Sequence, residues 1–422
     1  MNGSAVIADH RIAQGPAGAA EPSDNPSQRP SMTIDATIDT LRTLVAFDTV
    51  SANSNMALID WVANRLADHG VRATVQHAEE PGKANLFATI GPEDRGGLML
   101  SGHSDVVPVA GQAWSTDPFS LTERDGSLYA RGSADMKGFI ACVVEAVPRL
   151  LAARLSTPVH IALSYNEETN MGGMRQLAAH LASAPARPQA CIIGEPTSMR
   201  VVVANKGAAG YRVRVRGHSV HSSLRDSGVS AVEVAARIIV HCQQMQERLR
   251  AAGRHDGFEF PHSSIHVGRV QGGTAHNITA KDCEFLLEIR ALPGITAAEL
   301  LAELKAWCAT ELLPGMRAVA PDCFIEFDEI FDTPALDERG NTYLAQAITP
   351  LCGHSVVGRV SFGTEGGILQ GVGIPTIICG PGRIAVAHQP DECVEIEQLE
   401  RCAGFLDTLI ARLQREPLRQ AV

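Results

Sequence analysis

The chain has 422 residues, of which 45% are hydrophobic and 20% charged, a balance typical of a globular protein with about two domains. Its 36 Lys and Arg against 47 Asp and Glu give a formal charge of −11, which argues against nucleic acid or an anionic membrane as the main partner. No apolar run approaches the ~20 residues that a membrane-spanning helix needs, so no membrane partner is expected.

The first 32 residues are rich in Ala, Gly, Pro and Ser and predict a mobile tail. They have neither a basic start nor a long apolar stretch, so they do not resemble a secretory signal. Met32, just before the first periodic segment, is a candidate native start. Ten cysteines occur singly, without a C-x-x-C pair, which favours reduced thiols and a cytoplasmic location.

Helical and strand patterns alternate along residues 33–206. Helices are predicted at 38–47, 56–70, 133–155 and 172–184, and strands at 71–78, 84–91, 96–103, 158–166 and 189–197. This alternation predicts an α/β fold, with helices covering a mostly parallel sheet. A further apolar strand at 374–380 indicates that this domain resumes later, so we assign the first domain to 33–206 and 325–422.

A different pattern fills residues 207–324. It begins with the strictly alternating strand 209–217, and continues with helix 230–252, strands 263–273 and 281–292, helix 296–313 and strand 323–331. This order predicts a separate α+β layer inserted into the first domain. The alternating strand 209–217 is a candidate edge strand for pairing with a second chain.

Potential metal ligands follow five of the apolar strands, or the turns just after them. Because ligands gather at the carboxyl ends of parallel strands, we expect these side chains to converge. Two imidazoles and several carboxylates, without a cysteine, are the ligand set of zinc or a similar divalent ion in a catalytic site. The residues are His103, Asp105, Asp135, Glu167, Glu168, Glu195 and His388.

Each of these residues has an ordinary explanation when it is taken alone. Asp135 suits the positive end of a helix dipole, and a lone His103 is more often a hydrogen-bonded loop residue. Their joint placement favours a metal site, but chemistry leaves open which carboxylate bridges two ions. It also leaves open which of Glu167 and Glu168 binds metal and which accepts a proton from water. Asp105 shares a face with His103 in extended backbone, which suits a carboxylate that orients the imidazole.

Seven stretches resemble the dinuclear zinc amidohydrolases, a family that includes deacetylases, desuccinylases, aminoacylases and carboxypeptidases acting on amino-acid derivatives. The resemblance covers nearly all of the chain beyond residue 33, and the seven motifs together are far more specific than H-x-D alone. They are SGHSDVVP (101–108), WSTDPFSLTERDGSLYARGSADMKGF (114–139), SYNEETNMGG (164–173), GEPT (194–197), GHSVHSS (217–223), GGTAHN (272–277) and GPGRIAVAHQPDE (380–392).

The resemblance implies roles for the residues at the strand ends. Asp135 would bridge two divalent ions, Zn or Co. His103 and Glu195 would complete the coordination of one ion, and Glu168 and His388 would complete that of the other. Glu167 would be the general base, and Asp105 would clamp the imidazole of His103.

The resemblance also implies a homodimer joined through the inserted dimerisation or lid domain. His221 would then reach the partner's active site and stabilise the oxyanion, although a lone histidine there would be an exposed turn residue. Asn277 would contact the substrate. Arg290 would hold a substrate carboxylate, with a solvated strand arginine as the alternative. Glu365, in SFGTEGG (361–367), either faces a distal amine of the substrate or is a solvated loop residue.

The implied reaction is hydrolysis of a small-molecule N-acyl amino acid. We expect N2-acetyl-L-ornithine to be cleaved to L-ornithine and acetate, a step of arginine biosynthesis. The alternative within the family is a desuccinylase, or a broader N-acyl amino acid deacylase or carboxypeptidase. A non-enzymatic metal-binding scaffold is disfavoured, because Glu167 is present together with all five ligand positions.

Overall fold

Strands and helices alternate along most of the chain in the computed structural model, which describes residues 34–252, 254–353 and 357–415. The predicted tail, 1–32, lies outside the described residues. The helices are α1 (Ile34–Val45), α2 (Met56–Asp68), α3 (Gly138–Ala152), α4 (Gly172–Ala182), α5 (Ala231–Ala252), α6 (Ala297–Trp307), α7 (Leu313–Val319), α8 (Thr342–Ile348), α9 (Gly366–Gly371) and α10 (Ile396–Arg415). The strands are β1 (Ala73–His77), β2 (Ala84–Ile90), β3 (Leu98–His103), β4 (Thr122–Arg124), β5 (Ser127–Tyr129), β6 (Val159–Ser164), β7 (Ala190–Pro196), β8 (Val202–Asn205), β9 (Gly207–Arg216), β10 (Ser264–Gly272), β11 (Asp282–Ala291), β12 (Phe324–Thr333), β13 (Gly358–Val360), β14 (Thr376–Gly380) and β15 (Cys393–Glu395).

The central sheet has eight strands in the order β1-β2-β6-β3-β7-β14-β8-β13. Strand β3 runs parallel to β6 and β7, and β7 runs parallel to β14. Strands β1 and β2 add an antiparallel edge. This sheet confirms the predicted α/β fold class, and it brings the carboxyl ends of β3, β6, β7 and β14 to one edge.

Both faces of the central sheet are buried, as the apolar strands predict. On β3, Leu98 and Leu100 pack into a core that includes residues of α1, α3 and α10, whereas Met99 packs into the core beneath α4 and α9. Consecutive side chains of a strand point to opposite faces, so a run of apolar residues can serve both cores at once. No described helix combines the length and apolarity needed to cross a membrane.

A second, antiparallel sheet has the order β10-β11-β9-β12, and α5 and α6 pack against it. Strand β9 alternates as predicted, with Val213 and Val215 buried and Arg212 and Arg214 turned outward. However, β9 lies between β11 and β12, so the expectation that it is an edge strand is wrong. Strand β12 also crosses the proposed boundary at 324/325, because its pairing with β9 continues to Thr333.

The segment before α3 differs from the helix predicted over 133–155. Residues Ser133–Lys137 form an irregular turn in which Asp135 has φ −121° and ψ 90°, and the regular helix begins at Gly138. The helix then packs closely against β7: a Cβ added at Gly194 would lie 2.0 Å from the ring of Phe139. Glycine at 194 therefore lets α3 approach the strand that carries Glu195.

His160, the second residue of β6, is a buried histidine far from the carboxyl end of its strand. Its Nδ1 lies 3.0 Å from the Thr89 hydroxyl, and its ring stacks on Phe87. Burial lowers the pKa of His160 to about 4. Below about pH 6.5 the unfolded chain gains a proton that the folded chain does not bind, so this contribution to stability is complete above that pH and is lost as the pH falls towards 4.

Replacing His160→Gln is therefore expected to flatten the acid side of the stability profile. Between pH 6.5 and 4, the free energy of unfolding of the metal-free wild type should fall by up to about 3 kcal/mol more than that of the variant. Urea titrations across this range provide the measurement. At pH 8 both states of His160 are neutral, so the difference there reports lost packing alone, and parallel profiles would contradict the assignment.

Candidate metal centre

The side chains predicted at strand ends converge because β3, β6 and β7 are parallel neighbours. His103 ends β3 directly beside Ser164, the last residue of β6, and Glu167 and Glu168 follow in the next turn. Glu195 lies near the end of β7. The irregular turn before α3 contributes Asp135, and the loop between β14 and β15 contributes His388.

Asp135 lies at the middle of the cluster, in contact with both histidines. Its Oδ1 is 2.9 Å from Nε2 of His103, and its Oδ2 is 3.4 Å from Nε2 of His388. The His388 nitrogen is also 3.0 Å from Oε2 of Glu168, and the His103 nitrogen is 3.8 Å from Oε1 of Glu195. These five residues form two overlapping groups that share Asp135, and the potential ligand atoms of each group lie within 4.8 Å of one another.

The electrostatics of the cluster are those of buried carboxylates with too little positive charge nearby. Burial and the neighbouring Asp135 raise the pKa of Glu168 to about 7 and that of Glu195 well above its usual value. Burial opposes the charged form of Asp135 too, but hydrogen bonds with the two histidines hold its pKa well below the usual range. Oxygen and imidazole donors of this kind, with no thiolate, suit a divalent ion such as zinc.

Glu167 lies beside the two ligand groups. One of its carboxylate oxygens is within 4.8 Å of potential ligand atoms of His103 and Glu168. Desolvation raises the pKa of Glu167 well above its usual value, and the negative charges of Glu195 and Glu168 act in the same direction. A carboxylate with a raised pKa is a stronger base, so the environment of Glu167 suits proton transfer near neutral pH.

Asp105 contacts His103 differently from the predicted carboxylate clamp. Its main-chain carbonyl oxygen lies 2.9 Å from Nδ1 of His103, whereas its carboxylate is 3.8 Å away. The carboxylate instead accepts hydrogen bonds from the backbone N–H groups of Glu167 and Glu168, at 3.0 and 3.3 Å, and from the hydroxyl of Ser51 at 2.6 Å. Asp105 thus holds both the imidazole and the turn that carries the two glutamates.

His221 and Asn277 lie together on the surface of the second layer. The N–H of Ser222 donates to the carbonyl of Asn277 at 3.0 Å, and the imidazole of His221 accepts from the N–H of Ser223. Both residues are exposed. Neither has a recorded contact with the metal-binding cluster among the residues that the structure describes.

Glu365 lies within the stretch 361–367, and Arg290 contacts the first residue of that stretch, Ser361. Arg290 on β11 is half-buried, pairs with Glu288 at 2.7 Å, and donates to the carbonyl of Ser361 at 3.3 Å. Glu365 is 1% exposed, so the alternative of a solvated loop glutamate is wrong. Burial raises the pKa of Glu365 to about 7, with the hydroxyl of Ser164 beside it.

Three polar residues around the cluster were not anticipated from the sequence. Glu392 accepts hydrogen bonds from the backbone at Asp135, Arg131 pairs with Glu392, and Gln112 donates to the carbonyl of His388. They lie in segments without periodicity. Their position inside two of the matching motifs, 114–139 and 380–392, was the available signal for Arg131 and Glu392.

Comparison with known proteins supports the resemblance seen in the sequence. Residues 99–412 match the model of peptidase family M20/M25/M40. The chain is 36% identical over 388 residues to the acetylornithine deacetylase of Proteus mirabilis, covering 88% of this chain and 95% of that protein. The acetylornithine deacetylase of Pasteurella multocida is also 36% identical, over 372 residues, with 88% and 94% covered.

Solved structures share the fold at low sequence identity. A metallo-carboxypeptidase of Sulfolobus solfataricus, described as a member of the M20 family, has a TM-score of 0.69 at 16% identity, covering 90% of this chain and 99% of that one. The aminopeptidase PepT of Bacillus cereus has a TM-score of 0.66 at 19% identity, covering 90% of this chain and 100% of that one. These similarities support the two-sheet architecture.

Proposed function

Because the chain belongs to peptidase family M20/M25/M40, we propose that it is a metal-dependent amidohydrolase that cleaves N2-acetyl-L-ornithine to L-ornithine and acetate. The relatives from Proteus mirabilis and Pasteurella multocida, both named acetylornithine deacetylase, support this substrate. That reaction would make the protein an enzyme of arginine biosynthesis. No observation favours a desuccinylase or a broader acylase over it.

The convergence of five potential ligands, with Asp135 shared by both groups, carries this proposal. His103, Asp135 and Glu195 would hold one divalent ion, and Asp135, Glu168 and His388 would hold a second. The donor set fits zinc or cobalt, because it combines imidazole nitrogen with carboxylate oxygen. When bound, such ions lower the pKa of water and polarise an acyl carbonyl oxygen.

Glu167 would serve as the general base and then as the general acid. Its raised pKa allows it to take a proton from the attacking water near neutral pH and return that proton to the leaving α-amine. Its carboxylate is close enough to the ligand groups to act on a water held between them. Asp105 would support this role by fixing the backbone N–H groups of Glu167 and Glu168.

Two residues near the stretch 361–367 would recognise the amino-acid part of the substrate. The guanidinium of Arg290 suits the α-carboxylate of the substrate, although one nitrogen of this guanidinium, Nη2, already pairs with Glu288. Glu365 has no ion-pair partner within the described part of the chain, so the ammonium group of the ornithine side chain would neutralise a buried carboxylate. This pairing would favour acetylornithine over neutral acyl amino acids.

The inserted layer would join two chains into a homodimer. The partner subunit's His221 would then meet the negative charge that develops on the acyl oxygen, and Asn277 beside it would contact the substrate. Exposure of both side chains in the single chain is consistent with this arrangement. We place the enzyme in the cytoplasm, because all ten cysteines are buried free thiols.

Replacing Glu167→Gln tests the role of the base. The variant should keep two bound ions, because Glu167 is not one of their proposed ligands, and kcat should fall about 10²- to 10⁴-fold. Metal content by mass spectrometry and steady-state hydrolysis of acetylornithine give the two measurements. Glu400→Gln, on the exposed face of α10, is the matched control. Normal turnover by the Glu167 variant would refute the assignment.

Replacing Glu365→Gln tests the substrate. The variant should lose affinity for acetylornithine, with KM raised about tenfold or more, because the side-chain ammonium loses a charged partner. Hydrolysis of N-acetylmethionine, whose side chain is neutral, should keep its KM. If KM rises by the same factor for both substrates, Glu365 does not recognise the cationic side chain.

Rates of hydrolysis of succinyl-diaminopimelate by the wild type test the desuccinylase alternative.

Mixing two inactive variants tests whether His221 acts across the dimer. In a mixed dimer of Glu167→Gln and His221→Ala chains, one active site combines an intact Glu167 with the partner subunit's His221. Random reassembly should therefore restore about a quarter of wild-type activity, since half of the dimers are mixed and each has one complete site. No recovery after verified subunit exchange would indicate that His221 acts within its own chain, and an active His221→Ala variant would show that His221 has no catalytic role.

A further inference from the structure

A buried ion pair between Arg131 and Glu392 lies behind the metal-binding cluster. Nη1 of Arg131 is 2.6 Å from Oε2 of Glu392, and the two side chains are each 1% exposed. Together with Gln112 they form what we call the buried bridge. Neither charged residue is a proposed metal ligand or part of the proton transfer, so the function derived above leaves the pair unexplained.

One end of the buried bridge holds the backbone of Asp135. Oε1 of Glu392 accepts hydrogen bonds from the N–H groups of both Ala134 and Asp135, each at 3.0 Å. These N–H groups belong to the irregular turn before α3, where no regular ladder or helix fixes the chain. The position of the Asp135 carboxylate therefore depends on the carboxylate of Glu392.

The other end holds the backbone of His388. Nη2 of Arg131 donates to Oε1 of Gln112 at 2.6 Å, and Nε2 of Gln112 donates to the carbonyl oxygen of His388 at 2.9 Å. Nη1 of Arg131 also donates to the carbonyl of Gln389 at 3.3 Å. His388 needs this support, because its φ of +65° is unfavourable for a residue with a Cβ and its side chain is about half exposed.

Charge attraction to the cluster does not explain why Glu392 is present. Burial raises the pKa of Glu392, and repulsion from the nearby carboxylate of Asp135 acts in the same direction. Arg131 offsets this repulsion, and the ring of Trp114 covers the guanidinium at 5.0 Å. A buried pair of this kind contributes little net stability, so its geometric effect is the more informative one.

We propose that the buried bridge is a positioning device that joins the backbone of Asp135 to the backbone of His388 and thereby sets the affinity of the ion that these two residues share with Glu168. Arg131, Glu392 and Gln112 are positioning residues: they act through the ligands and do not touch the substrate. The inference rests on the metal centre of the proposed function. It follows that damage at the two ends should have different effects on the two ions.

Gln112→Ala removes the contact to His388 and leaves Glu392 in place. Only the ion shared by Asp135, Glu168 and His388 should bind more weakly, by about 10- to 100-fold, the usual effect of losing support behind a ligand. In Glu392→Gln, one amide oxygen replaces the two carboxylate oxygens that accept from Arg131 and from the N–H groups of Ala134 and Asp135. The support of Asp135, which belongs to both ligand groups, is therefore weakened, and both ions should bind more weakly. The matched control is Gln414→Ala, because Gln414 makes the same kind of amide-to-carbonyl hydrogen bond, at 2.8 Å, to Ala153.

The experiment measures stepwise dissociation constants for Zn²⁺ by competition with a chromophoric chelator, and the absorption spectrum of the Co²⁺-loaded protein. Selective weakening of one ion in Gln112→Ala, with an altered Co²⁺ spectrum and an unaffected Gln414→Ala protein, is the expected result. Dissociation constants within twofold of wild type, or equal weakening of both ions by Gln112→Ala, would overturn the inference. If the wild type itself binds fewer than two ions, the proposed metal centre fails instead, and the result is distinguishable because it needs no variant.

Should Glu392→Gln fail to fold, the test still stands on Gln112→Ala, whose side chain is half-buried and belongs to no core. Thermal unfolding of the metal-free proteins separates support of the ligands from general stability. Metal-free Gln112→Ala and Gln414→Ala should unfold at similar temperatures. A large loss of stability confined to metal-free Gln112→Ala would assign the buried bridge a structural role and overturn the inference.

Discussion

Repulsion among desolvated carboxylates is the constraint on which the rest of this structure depends. Six carboxylates and two imidazoles occupy one region at the edge of the central sheet: Asp105, Asp135, Glu167, Glu168, Glu195, Glu365, His103 and His388. Burial raises the pKa of four of these carboxyl groups, so the region resists holding all of them charged. The histidines reduce the repulsion only around Asp135, and bound divalent cations would neutralise the remaining carboxylates.

The parallel sheet makes this concentration of charge possible. Potential ligands from β3, from β7 and from the turn after β6 reach the same edge, because these three strands are parallel neighbours. Apolar residues on both faces of the sheet hold the strands rigid. The two potential ligands outside this frame, Asp135 and His388, come from irregular segments. They are also the two potential ligands whose backbone contacts the buried bridge, so side-chain hydrogen bonds replace the sheet ladder where the backbone leaves it.

The convergence of the strand-end side chains could be predicted because its signal is local. An apolar strand followed by a potential ligand can be recognised within ten residues, as for His103, the Glu167–Glu168 pair and Glu195, and the structure brings these side chains together. Prediction from the sequence failed where the signal was a contact across the fold. Nothing in the alternation of β9 reveals that strands flank it on both sides, or that β12 pairs with it as far as Thr333, beyond the proposed boundary at 324/325. The amphipathic α10 had a readable pattern and was not predicted. The contacts of Arg131 with Gln389 and of Gln112 with His388 join positions 258 and 276 residues apart, so no local pattern could predict them.

The two ligand groups differ in exposure, and this difference explains where support is needed. His103, Asp135 and Glu195 are all nearly inaccessible, fixed by the sheet and by α3 packed against Gly194. The second group opens to solvent at His388, so that residue has little packing to hold it. An exposed histidine on a strained backbone would sample many positions and bind an ion weakly. A hydrogen-bonded connection to a buried ion pair fixes such a residue and leaves its side chain exposed. An apolar side chain packed over the imidazole would fix it too, but would cover it.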